Sequence, residues 1–320
     1  MLAVLATTFP FFALVLCGWL AAERGPLPDS AIPGLNGFVL FFALPCLLFR
    51  FGRDTPLIQL LNPALLGVYV LAALAIVGGT IALTWRVGMT DAAFGALVAA
   101  FPNSGFMGVP LVAALLGSAA TGPVVSTLLV DLFVTSSLCI ALAQAGRGGV
   151  AERAAFWQAL KAAGANPLPW AIALGAAVGA SGLAVPAPVA KAIAMLGDAA
   201  SPVALFTIGA VLSRSGRANR QAGRVTPVRL YLPIALVKLL LHPALVFALG
   251  ALLRWWGAPL SHVQLVALTL TAALPSASNV SLMAERYGAD TGRVARIILA
   301  STALAFLSFS ALATWMLPAG

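Results

Sequence analysis

Apolar residues run along this chain in long unbroken blocks joined by short polar stretches. Ten blocks fall at 2–20, 33–51, 63–86, 91–117, 121–143, 167–184, 189–213, 228–254, 261–285 and 292–317. Each is long enough for a helix that crosses a bilayer, which takes roughly 20 residues. A transmembrane β-barrel would instead show short alternating segments. Two blocks carry an interruption. Residues 101–110 read FPNSGFMGVP and residues 274–281 read LPSASNVS. Proline lacks an N–H and its ring clashes with the preceding turn, so both blocks are expected to break. Pro102, Pro110 and Pro275 are the expected break points.

Composition fits the same class. Of 320 residues, 61% are hydrophobic and 8% charged, and the mean hydropathy is +1.02. A soluble domain carries roughly 25% charged residues, so the chain reads as an all-α integral membrane protein. The formal net charge is +9. No basic helix or aromatic sheet accompanies it, so nucleic acid is not an expected partner. Cys17, Cys46 and Cys139 sit in apolar runs without a CxxC spacing and read as buried apolar residues. His242 and His262 stand apart, which leaves no ligand set for a metal. No cofactor is expected. The N-terminus has neither a charged leader nor a small-residue cleavage site and reads as the first span.

Positive charge orients the spans. With the N-terminus outside, the odd-numbered loops hold thirteen Lys and Arg residues and the even-numbered loops three. The chain is expected in the inner (plasma) membrane as a multi-pass protein with both termini outside. Residues 144–166 form a cytoplasmic linker, and residues 214–229, with five arginines, a second cytoplasmic loop.

The blocks also repeat. LPCLLFRFG (44–52) resembles SPVALFTIG (201–209), with Pro45, Leu48, Phe49 and Gly52 matching Pro202, Leu205, Phe206 and Gly209. AAFP (99–102) resembles AALP (272–275), and Trp85 and Trp255 each close a span. Spans one to five (1–143) thus repeat as spans six to ten (167–320). Five is odd, so the halves have inverted topology. The broken spans are then the fourth of each half. Unwound helices at matching places in inverted repeats point to a transporter's binding site near the midplane. Irregular backbone survives there only where protein or a water-filled cavity satisfies it.

Around the breaks stand Pro102, Asn103, Ser104 and Gly105, and Pro275, Ser276, Ser278 and Asn279. These are the candidate substrate-binding residues. Their side chains can equally satisfy the broken backbone, and the two roles are compatible. None is charged, so an anion can be accepted without a fixed carboxylate beside it. A strong sodium site would be expected to hold an acidic residue; sodium held by carbonyls stays open. Asp131 and Lys238 lie in mid-span. A charge at the bilayer centre costs about 2.5–3.5 kcal/mol on insertion scales, so each is expected to face protein or water. The two are candidate coupling or gating residues, as a direct pair or with Asp131 as a proton site. Lys238 can alternatively snorkel toward the arginine-rich loop.

FPNSGFMGVPL (101–111), VKLLLHP (237–243), LGDAASPVALFTIGAVL (196–212) and ALPSASNVSLMAERYGAD (273–290) resemble the signatures of the auxin efflux carrier family. That family includes bacterial malate permease-like carriers and plant PIN carriers, and its fold is similar to that of bile acid–sodium symporters. The resemblance implies ten helices in a 5+5 inverted repeat. Spans 1, 2, 6 and 7 would form a scaffold, spans 3, 4, 5, 8, 9 and 10 a transport domain, and spans 4 and 9 would be broken and cross. It also implies a homodimer through the scaffold. Residues 144–166 are too few for the long cytoplasmic loop of many plant carriers, so regulation through such a loop is not expected. The expected function is elevator-type transport of a small organic anion, a carboxylate such as malate, malonate or an auxin-like acid. Sodium- or proton-coupled symport of bile acid-like or other organic acids is the alternative. A channel and an intramembrane enzyme are the rival classes; no GxGD run surrounds Asp131 or Asp198.

Overall fold

The computed structural model describes residues 2–55, 62–145, 164, 167–221 and 226–317. The expected linker at 144–166 falls almost wholly outside them. In chain order the helices are α1 (Leu2–Arg24), α2 (Asp29–Asp54), α3 (Pro63–Thr84), α4 (Met89–Ala100), α5 (Ser104–Leu116) and α6 (Thr121–Ala145). There follow α7 (Pro167–Ser181), α8 (Ala187–Gln221), α9 (Leu232–Trp255), α10 (His262–Ala272), α11 (Val280–Arg286) and α12 (Thr291–Met316). Seven of them, α1, α2, α3, α6, α8, α9 and α12, are long and apolar enough to cross a membrane. Four more, α4, α5, α7 and α10, are apolar but shorter. Among the described residues there is no strand, only one isolated antiparallel bridge.

Helix starts are written locally. Asn62 caps α3, its Oδ1 accepting from Ala64 N at 3.0 Å and Leu65 N at 3.3 Å, with Pro63 pre-shaped for the first position. Ser261 and Gln264 form a capping box at α10. Asp290 caps α12 through Arg293 N at 2.9 Å.

Three prolines inside helices follow widened turns, whereas Pro10 and Pro202 sit in unwidened helix. π-Helical turns cover Val39–Ala43, Ser104–Gly108 and Val237–Leu241, and each lies directly before Pro45, Pro110 or Pro243. Widening moves the carbonyl that the proline ring would otherwise strike. Pro110, expected as a break, is therefore corrected: the chain stays helical through it to Leu116.

The lipid-facing surface keeps large apolar groups such as Leu83, Leu174, Trp255 and Leu307 exposed. Trp85, Trp255 and Trp256 stand at helix ends, where indole rings suit the membrane interface. The interior is built on small residues. Along α4 every residue from Ala92 to Ala100 is buried, and the helix packs against α3 and α6. α1 pairs with α8 and α2 with α7. These contacts are backbone to backbone. A Cβ on Gly18 would overlap the Phe206 carbonyl, and one on Gly209 the Val15 carbonyl. A Cβ on Gly52 would strike the Ile172 carbonyl, and one on Gly175 that of Phe49.

The arginine-rich stretch differs from expectation. Residues 214–221 are not a loop but the last turns of α8. Arg217 explains the extension: its guanidinium donates to Ala22 O at 2.7 Å, Glu23 Oε2 at 3.3 Å and Asp29 Oδ1 at 2.5 Å. These anchors hold the helix against the α1–α2 corner.

Candidate functional site

Two helices stop inside the protein and their ends meet. α4 ends at Ala100, and Phe101 to Asn103 run non-helically into α5. α10 ends at Ala272, and the chain is irregular until α11 begins at Val280. The two irregular segments lie side by side. Asn103 N donates to Pro275 O at 2.8 Å and Ala277 N to Phe101 O at 3.0 Å, which pairs Pro102 with Ser276 as an antiparallel bridge.

The backbone accounting is complete enough to explain the residue types. Pro102 cannot supply the N–H that Val98 O would accept in a helix. Ser276 Oγ supplies the bond instead, at 2.8 Å. Ser276 N, which a continuing α10 would aim at Ala272 O, donates to Ser301 Oγ at 3.2 Å. The freed Ala272 O accepts from Lys238 Nζ at 2.6 Å. A cation thus caps the negative end of α10. Ser276 and Asn103 are buried at this crossing. So is Ser104, whose Oγ has no partner.

Lys238 neither snorkels nor pairs directly with Asp131. Both are fully buried. Lys238 Nζ lies 3.2 Å from His242 Nδ1. Asp131 accepts from Tyr69 Oη at 2.8 Å and Thr135 Oγ1 at 3.2 Å. The Tyr69 and His242 rings lie between the two charges, their centroids 5.7 Å apart. The direct pair is corrected to a bridged cluster, because the Ala272 carbonyl holds the ammonium. No signal beyond the i,i+4 spacing of Lys238 and His242, and a lone tyrosine in an apolar run, marked these members.

Beside the crossing lies a cavity of about 250 Å³. α2 contributes Asn36 and Leu40, α5 Phe106, and α8 Ile208, Arg214 and Ser215. Ser278, Asn279, Ser281 and Glu285 line it from the α11 side, and Thr291 and Ala295 from α12. Of the expected binding residues, Ser278 and Asn279 reach this cavity. Pro102, Asn103, Ser104, Gly105, Pro275 and Ser276 do not line it. The backbone groups of Pro102, Asn103, Pro275 and Ser276 are taken up by the crossing itself. Asn279 Oδ1 is buried without a partner. Ser201 Oγ on α8 donates to Phe106 O on α5 at 2.9 Å, next to the cavity wall. Arg214, Asn36 and Glu285 were not foreseen as wall residues. Arg214 was counted among loop arginines, and only the helical extension of α8 turns it inward.

A family model described as a membrane transport protein matches residues 3–313. A Rhizobium meliloti protein named "Putative malonate transporter" is 26% identical over 98% of this chain and 95% of its own length. An uncharacterized transporter of Methanothermobacter thermautotrophicus is 26% identical over 94% of this chain and 95% of its length. The Escherichia coli uncharacterized transporter YfdV is 25% identical over 94% and 92%. The multi-span helical architecture, the apolar surface and this match agree on a membrane transporter and not an enzyme. The chain belongs to the membrane transport protein family, the family of auxin efflux and PIN-like permeases.

Proposed function

We propose that the protein is a secondary carrier that moves a small organic anion by alternating access. The observation that carries the reading is the cavity beside the two broken helices. Its walls come from α2 and α8 on one side and from α5, α11 and α12 on the other, and they include Ser278, Asn279 and Arg214. A site between two groups of helices is the geometry alternating access uses. In this reading the chain crosses the membrane ten times in two inverted halves, 1–143 and 167–320, joined by 144–166. The broken spans are α4–α5 and α10–α11. The glycine contacts support the repeat: Gly52 and Gly175, moved along the chain by 157 residues at Gly52 and back by 157 at Gly175, become Gly209 and Gly18. α1, α2, α7 and α8 form the scaffold, through which two copies pair, and the other helices slide against it as an elevator. Both termini face outside the inner membrane.

The relative named for malonate makes that dicarboxylate the first substrate to try. Purified protein in liposomes loaded with unlabelled malonate should draw in labelled malonate against no net gradient. Malate and indole-3-acetate are tested alongside. Linear, non-saturating flux would indicate a channel, and no flux of any of the three acids would overturn the reading. A cysteine at Ala218, added to a chain with Cys17, Cys46 and Cys139 replaced, should resist an impermeant thiol reagent in intact cells. Labelling from outside would reverse the orientation.

A further inference from the structure

We propose that Arg214 is the carboxylate-recognition residue of the cavity, its guanidinium taking the charged end of a short carboxylic acid while Asn279 meets the other end. The proposal rests on the carrier reading and names the residue that selects its substrate by charge. Arg214 and Arg217 lie one turn apart on α8 and differ in one respect. Arg217 is engaged by Ala22 O, Glu23, Ser213 and Asp29. Arg214 is half-buried on the cavity wall, and no described residue gives its guanidinium a hydrogen bond or an ion pair. A guanidinium presents five donors in a planar fork that matches a carboxylate bidentately. Drawn partly out of water, with none of them used by a described residue, it is a receptor without its acceptor.

The opposite wall offers a second, independent unmet need. Asn279 Oδ1 is buried without a partner, and its residue lines the same cavity. A carboxylate at Arg214 and a hydrogen-bond donor at Asn279 Oδ1, such as the protonated carboxyl of a half-ionised diacid, define a ligand with two polar ends. At about 250 Å³ the space falls below the roughly 300–1,000 Å³ of sites for drug-sized ligands, which favours a small acid. Glu285 stands exposed on the same wall.

The test is binding of malonate and of malonamide, its neutral near-isostere, to the full-length protein in nanodiscs, by calorimetry. Wild type should bind malonate and reject malonamide. Arg214→Gln should lose malonate affinity at least tenfold and end with no preference between the two. Arg229→Gln, which removes an exposed arginine away from the cavity, should bind as wild type does. If Arg214→Gln fails to fold, Arg214→Lys decides: charge without the fork should weaken malonate several-fold and leave the melting temperature unchanged. Malonate binding within twofold of wild type in Arg214→Gln, or in Arg214→Lys where that variant decides, overturns the proposal and leaves the carrier reading standing. A wild-type protein that binds neither malonate, malate nor indole-3-acetate overturns both.

Discussion

The glycine contacts between α1 and α8 and between α2 and α7 permit a prediction in which the sign, not only the size, depends on position. Replacing Gly18 or Gly175 by alanine puts a methyl group against a backbone carbonyl, Phe206 O or Phe49 O. Backbone cannot rotate away as a side chain would, so the paired helices must separate. Overpacking of this kind costs typically about 1–3 kcal/mol. Gly79 in α3 is the control: it is exposed and a Cβ there meets nothing within 4 Å. Alanine at that site should stabilise by about 0.5–1 kcal/mol through helix propensity alone. At roughly 2 °C per kcal/mol for a chain of this size, Gly18→Ala and Gly175→Ala should each melt about 2–6 °C lower, and Gly79→Ala level or slightly higher. Thermal unfolding in one detergent, followed by tryptophan fluorescence, reads all three. Gly18→Ala and Gly175→Ala melting with wild type would refute the close approach. A large drop at only one of them would weigh against the repeat that relates the two contacts.

Three further outcomes follow from the crossing and its surroundings. Ser276→Ala removes the donor to Val98 O in a buried place, and an orphaned carbonyl there should cost about 1–3 kcal/mol, read as a lower melting temperature. Lys238→Met strips the donor from the buried Ala272 carbonyl, which should cost about 1–3 kcal/mol, read as a lower melting temperature. An unchanged melting temperature would mean that the Ala272 cap contributes nothing. Asn279→Ala should weaken malonate binding at least several-fold, whereas Asn103→Ala, whose backbone and not its side chain serves the crossing, should leave it within twofold. The reverse order would move the site away from the cavity.

The helix ends at Ala100 and Ala272 could be read from the chain because proline acts locally: Pro102 and Pro275 remove an N–H whatever surrounds them. The likeness of AAFP and AALP marked the two breaks as matching steps, and their crossing was expected from the family resemblance alone. Pro110 misled because a widened turn absorbs a proline at little cost, and nothing in SGFMG announces that turn. Arg214 was hidden for a tertiary reason. α8 continues past the apolar block only because Arg217 finds Glu23 and Asp29 on a distant corner, and that continuation is what brings Arg214 to the cavity wall. Asp131 and Lys238 are in mid-span by sequence, but their separation by Tyr69 and His242 depends on how α3 and α9 rotate, which hydropathy does not encode.

The bond from Ser276 to Val98 also sets a schedule for biogenesis. The two residues are 178 positions apart. A ribosome adding about 5–20 residues per second needs about 9–36 s to cover that distance. Throughout that interval α4 has been made and the Val98 carbonyl has no donor, because Pro102 can never provide one. A bare carbonyl facing hydrocarbon costs several kcal/mol. The first half therefore cannot be released into lipid as a finished unit. It has to wait at the insertion machinery, or keep water beside α4, until the serine arrives. Truncated chains ending between residues 145 and 270 should be retained or degraded, while co-expression of the missing half should rescue them.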